Sequence, residues 1–142
     1  MTRNHKIKFF FNNASISLEN RPDLKRKINS IFLNEKKKYS IVSFIFCNDQ
    51  YLLSINNKFL GHDTYTDIIT FPLNEEGDAI SGEIYISVDR VRENAANEGC
   101  TIKNELHRVL FHGVLHLCGY KDKTNKDKKT MTYKENFYLA SI

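Results

Sequence analysis

Hydrophobic positions along the chain recur with two periods, and the switches between them predict the order of its elements. Ile7 to Phe11 is a short apolar run closed by Asn12-Asn13, which predicts a strand. Asn20 with Pro22 then opens a helix whose Leu24, Ile28, Ile31 and Phe32 fall on one edge. Ile41 to Cys47, rich in β-branched and aromatic residues, predicts a second strand. Asn48 or Asp49 can cap a second helix, with Leu52, Leu53, Asn56, Phe59 and Leu60 towards its inner side. Asp67 to Phe71 and Glu83 to Val88 predict the third and fourth strands. The turn-forming Asn74-Glu75-Glu76-Gly77-Asp78 between them is short enough to make these two antiparallel neighbours.

Asp89 to Asn97 predicts a third helix, ended by Gly99. The next has Thr101 as its N-cap, Glu105 in its opening turn and Leu106, Val109, Leu110, Gly113, Val114 and Leu117 as a buried stripe. It runs as far as Cys118, and Gly119 stops it by tolerating the left-handed conformation. A last helix is expected from about Thr130. Strand, helix, strand, helix, strand argues for right-handed crossovers and parallel pairing of the first three strands, with the fourth running opposite. The expected fold is therefore α/β (α+β): a small mixed, mostly parallel four-stranded sheet with one antiparallel strand, packed with about five helices. No internal repeat interrupts this order.

The length of 142 residues suits one domain, 1–142, with a real core, and 41% hydrophobic with 27% charged residues reads as soluble and globular. No run is long and apolar enough for a signal peptide or a membrane span, so the cytoplasm is the expected location. Cys47, Cys100 and Cys118, three cysteines without paired spacing, fit a reducing compartment. The net charge of +4 is modest, but five lysines, Lys121, Lys123, Lys126, Lys128 and Lys129, follow the fourth helix closely. Charge runs are usually only solvated surface; placed beside a site, these could contact phosphates.

The chemistry concentrates in His112-Gly-Val-Leu-His116-Leu-Cys-Gly119-Tyr-Lys-Asp122. On a helix, residues four apart share a face, so both imidazoles can grip one ion, and the turn at Gly119 can bring Asp122 back as a third ligand. Such a pair also occurs by chance on amphipathic helices. Two imidazoles, one carboxylate and an open position suit catalytic zinc, and another transition metal such as nickel is compatible. Metal hydrolysis could act on a phosphodiester or on a peptide bond. Zinc peptidases of this spacing carry a glutamate after the first histidine as general base, and here that place holds Gly113.

This stretch resembles the signature of the YbeY family of metal-dependent endoribonucleases, His-Gly-x-Leu-His-Leu-x-Gly-Tyr-Asp-His. His112, Gly113, Leu115, His116, Leu117, Gly119 and Tyr120 match it, and the family's third metal-binding histidine falls on Asp122. Thr66-Asp67-Ile68-Ile69-Thr70-Phe71-Pro72 is similar to the family's Thr-Asp-Val-Leu-Ser-Phe-Pro, and Gly82-Glu83-Ile84 to its Gly-Asp-Ile. The resemblance implies a single-strand endoribonuclease of rRNA processing, such as maturation of the 16S 3′ end, and of ribosome quality control. It also implies one Zn2+ held by His112, His116 and Asp122, with rRNA and the small ribosomal subunit as partners. A monomer without DNA or membrane partners is expected. Two departures stand out: Leu60 occupies the place of the family's arginine, and Asp122 adds a negative charge that weakens the ion as a Lewis acid. A non-catalytic RNA-binding module with a structural metal is the alternative.

Further residues invite roles near this site. Asp67 could orient a metal histidine through its ring N–H or simply cap a loop. Glu83, at the start of its strand, could face the same cleft or stand exposed. Arg108, four before His112, could bind phosphate, but a surface ion pair with Glu105 is favoured. Glu135 matches an acidic position in the family's C-terminal segment, where it could contact the site or simply tie the last helix down. His62 is a spare loop imidazole that could touch RNA or carry a proton near neutral pH.

Overall fold

A computed structural model describes residues 5–61 and 66–141 of the chain. These form β1 (Lys6–Phe11), α1 (Arg21–Asn34), β2 (Tyr39–Cys47), α2 (Asp49–Leu60), β3 (Ile68–Pro72), β4 (Ile80–Ser87), α3 (Val88–Glu98), α4 (Ile102–Leu117) and α5 (Asn125–Ser141). The capping chemistry sets several helix starts. Side chains of Asn20, Asn48, Ser87 and Thr101 accept from backbone N–H groups in the first turns of α1 to α4. Helix α5 begins five residues before the expected Thr130, because Thr124 and Asp127 cap each other's backbone N–H groups.

The sheet order is β1-β2-β4-β3. β1, β2 and β4 are mutually parallel, and β3 pairs antiparallel with β4. The mixed four-stranded sheet with five helices agrees with expectation, but the antiparallel strand is the third rather than the fourth. After α2 the chain descends at the sheet edge as β3, then returns by a tight turn into the place beside β2. Residue burial explains the choice. Ile80, Gly82, Ile84 and Ile86 of β4 are buried, as a central strand requires, whereas β3 has five residues and ends in Pro72, which cannot donate to a further strand.

One sheet face carries the main core. Val42, Phe44, Phe46, Ile84 and Ile86 meet Leu110, Val114 and their neighbours across the interface with α4. Gly113 lets α4 lie close, since a Cβ there would stand 2.9 Å from Ile84 Cγ2 and 3.0 Å from Ile68 Cδ1. The opposite face holds a smaller cluster of Cys47, Leu52, Ile55 and Ile69 beneath α2. Within α2, Leu52, Ile55 and Asn56 are buried, while Phe59 and Leu60, expected inside, are exposed at 62% and 45%.

Candidate metal centre

Helix α4 presents His112 and His116 side by side, with ring centroids 4.6 Å apart and planes at 77°. Gly119, at φ 109°, turns the chain beyond the helix in a conformation that glycine adopts without strain. Asp122 is thereby brought back so that its Oδ2 lies 3.2 Å from His112 Nε2 and 3.3 Å from His116 Nε2. Cys118, inside the motif, is buried away from this group, and its thiol is pushed up to about 12 by burial.

The remaining ring nitrogens decide what these three atoms can bind. The Tyr120 backbone carbonyl, 3.0 Å from His116 Nδ1, can only accept, so Nδ1 carries the proton and Nε2 of the neutral ring is a bare lone pair. His112 Nδ1 likewise donates to Glu135 Oε2 at 2.6 Å. Two imidazole lone pairs and a carboxylate oxygen thus converge, and three acceptors at such range repel unless a cation lies between them. Donors held at about 2.0–2.1 Å from a tetrahedral zinc stand about 3.3–3.4 Å apart, close to the two separations seen. His112, His116 and Asp122 form a group that could hold a metal ion.

Glu135, from α5, read in the sequence as an acid near the site that ties the last helix down, also bonds a ring nitrogen of His112. Its carboxylate is 7% exposed and also accepts from Arg108 Nη1 at 3.0 Å. Arg108 Nη2 donates to Asn136 Oδ1 at 3.0 Å. Arg108 therefore pairs with Glu135, not with Glu105 as expected, and joins α4 to α5 behind the histidines. The orienting role considered for Asp67 belongs to Glu135 at His112 and to the Tyr120 carbonyl at His116. Burial opposes charge on His112, yet the bond to Glu135 and the nearby Asp122 and Asp67 carboxylates hold its pKa above the ordinary value.

Asp67 does line the cleft that contains the histidines, a cavity of about 810 Å³ that also includes Leu60, Glu105 and Lys123. Burial raises the Asp67 carboxyl above the usual range, opposed by His112, and burial with Asp67 nearby does the same to Glu105. Glu83 lies in mid-strand rather than at a strand start. Its register partners Ser43 and Phe71 share the sheet face turned away from α4, so it does not enter the cleft. Instead it accepts from Tyr85 Oη at 2.9 Å. His62 lies outside the described residues.

A mixed sheet supporting one helix with two histidines, answered by a carboxylate from the following loop, defines an α/β protein with a solvent-accessible candidate metal centre. The family model described as endoribonuclease YbeY matches residues 8–142. A curated relative from Cytophaga hutchinsonii named endoribonuclease YbeY is 49% identical over 136 residues, 94% of each chain. Another of that name, from Flavobacterium psychrophilum, is 50% identical over 109 residues, 77% of each. The solution structure of a Thermotoga maritima protein superposes with a TM-score of 0.65 at 32% identity, covering 94% of this chain and 87% of that one. The chain belongs to the YbeY endoribonuclease family.

Proposed function

We propose that this protein is a zinc-dependent endoribonuclease that cuts single-stranded RNA, with ribosomal RNA as its substrate and the small ribosomal subunit as its setting. The observation that carries the reading is the convergence of two imidazole Nε2 atoms and one carboxylate oxygen on a single point at the wall of an open cleft. His112, His116 and Asp122 hold the ion. When bound, the ion supplies Lewis-acid chemistry suited to a phosphodiester. Glu135 and the Tyr120 carbonyl keep both rings in the tautomer that faces it. Lys123, on the cleft wall, supplies a cation for a substrate phosphate. Asp67 lines the same cleft, where burial raises its carboxyl and His112 opposes the rise. A peptidase is disfavoured because position 113 faces Ile84 in the sheet, where no general base could serve.

The test pairs metal analysis of freshly purified protein with cleavage of a single-stranded RNA. About one zinc per chain and cleavage lost in His112→Ala support the reading. Cleavage unchanged in that variant after nuclease-free purification points to a contaminant. A second reading has one observation in its favour: Leu60 lines the cleft where the family resemblance places an arginine. In that reading the chain binds RNA and the metal fastens the loop after α4, so metal-loaded protein binds RNA but leaves it whole.

A further inference from the structure

The face of the sheet turned away from α4 is left half uncovered. In-register neighbours point to the same side, so one row across the strands reads Lys8, Ser43, Glu83, Phe71 and the next Phe10, Ile45, Tyr85, Ile69. Helix α2 buries Ile69 at one end, but Phe10 remains 48% exposed and Ile41, from the row beyond Ser43, 43%. Where α2 ends, Phe59 stands 62% exposed against Phe71, with ring centroids 6.0 Å apart, and Phe71 meets Tyr85 at 5.8 Å. Lys58 Nζ lies 5.4 Å from the Phe59 ring centroid. Lys58, Phe59, Phe71 and Tyr85 line a groove of about 500 Å³, and Phe10 and Ile41 lie on the open sheet face beside it. A run of touching rings in a groove, with exposed apolar side chains on the sheet face beside it, is the kind of surface that marks a binding site.

We infer that this groove and the open sheet face beside it bind the unpaired bases of single-stranded RNA that leaves the metal cleft. Two observations select this occupant. The groove adjoins the cleft, because Pro72, exposed at the end of β3, forms part of both walls, and consecutive residues Phe59 and Leu60 line one each. The surface also interleaves rings with the cations of Lys8 and Lys58, the combination that holds single strands by stacking and phosphate contact. The carboxylate of Glu83, bonded to Tyr85, adds an acceptor for a base amino group in the groove. The inference rests on the nuclease reading for its choice of substrate, while its geometry is independent of the metal.

Binding can be measured without cleavage, on chelator-treated full-length protein, by fluorescence anisotropy with a labelled twelve-nucleotide oligouridylate and an abasic RNA of equal length. The wild type should bind the oligouridylate at least about fivefold more tightly than the abasic strand, because stacking adds to charge. Phe59→Ala and Phe10→Ala, both at exposed positions, should each remove most of that preference, and Leu33→Ala, exposed on α1, should not. Equal binding of both strands by the wild type, or a preference that survives both alanine variants, overturns the inference. So does a wild-type dimer that the Phe59→Ala, Phe10→Ala double variant dissociates in sedimentation, since the face would then be occupied by a second copy. Metal-loaded protein that shows the base preference yet cuts no RNA sinks the nuclease reading and leaves the platform standing.

Discussion

Asp122 and Glu135 meet the histidines from opposite sides, Asp122 at the Nε2 atoms of both rings and Glu135 at the Nδ1–H of His112, and substitutions separate these tasks. Asp122→Ala should lose most of the bound metal and Asp122→His should keep it, as metal content per chain will show; full occupancy in the alanine variant would mean another group completes the site. Asp127, a candidate by proximity in sequence, instead accepts the Thr124 backbone N–H through its Oδ2 at the start of α5. Glu135→Gln should weaken zinc affinity by about 10–100-fold, measured against a competing chelator, because a neutral amide holds the His112 Nδ1–H less strongly than a carboxylate. An unchanged affinity would show that the tautomer is fixed without Glu135. The histidines and Asp122 were legible in the sequence because all three belong to one helix and its glycine turn. Glu135 was harder, since its link to His112 depends on how α5 lies across α4. A signal was present: Met131, Glu135 and Tyr138 are spaced as one helical stripe, and all are buried, so the acid is the odd member of an apolar face.

At the scale of elements, α4 is held by its sheet contact and the loop after it by a carboxylate from far away in sequence. Gly113→Ala would force a methyl into Ile84 and Ile68, and we expect roughly 1–3 kcal/mol of lost stability in chemical denaturation. Glu35, following α1, accepts from Tyr120 Oη at 2.7 Å, from Lys134 Nζ at 3.2 Å and from Tyr138 Oη. It thereby ties α1 to α5 and to the loop whose Tyr120 carbonyl orients His116. Burial would raise its pKa, but the three donors outweigh burial and hold the carboxyl below its ordinary value. A depressed acid stabilises the fold above its unfolded pKa and loses that contribution as pH falls through the folded one. Glu35→Gln should therefore cost about 2 kcal/mol near neutral pH. The gap from wild type should narrow as pH drops below about 4.5. Thermal melts of both proteins between pH 7 and 3 check this, and a gap that stays constant would assign the loss to packing. Neither Glu35 nor the true start of α5 was legible. Glu35 reads as the exposed end of a helix until Tyr120 and Tyr138 arrive, and the lysines after Asn125 read as solvated surface because no apolar stripe runs through them.

For the whole molecule, the sequence carried the element order, the hairpin and the mixed sheet, but not which strand lies at the edge. Counting alternating elements favours parallel neighbours, yet a hairpin fixes only that β3 and β4 oppose each other. The unbroken buried row Ile80, Gly82, Ile84 and Ile86 of β4 and the terminal proline of the shorter β3 determine which of them enters the sheet. The same architecture separates folding from metal binding. The three candidate ligands lie within eleven residues of α4 and its loop, whereas the main core joins β1, β2, β4, α1, α3, α4 and α5 through apolar contacts that do not involve them. Chelation should therefore abolish RNA cleavage while leaving a cooperatively folded protein. Zinc returned at about one hundred times its dissociation constant should add about 2.7 kcal/mol through preferential binding to the folded state. For a chain of this size that corresponds to a melting rise of roughly 5–10 °C. Scanning calorimetry of the chelated protein with and without zinc, alongside Asp122→Ala, measures both parts. An unfolded chelated protein at 25 °C would show that the ion is part of the core's stability, and an equal rise in Asp122→Ala would place zinc elsewhere on the surface.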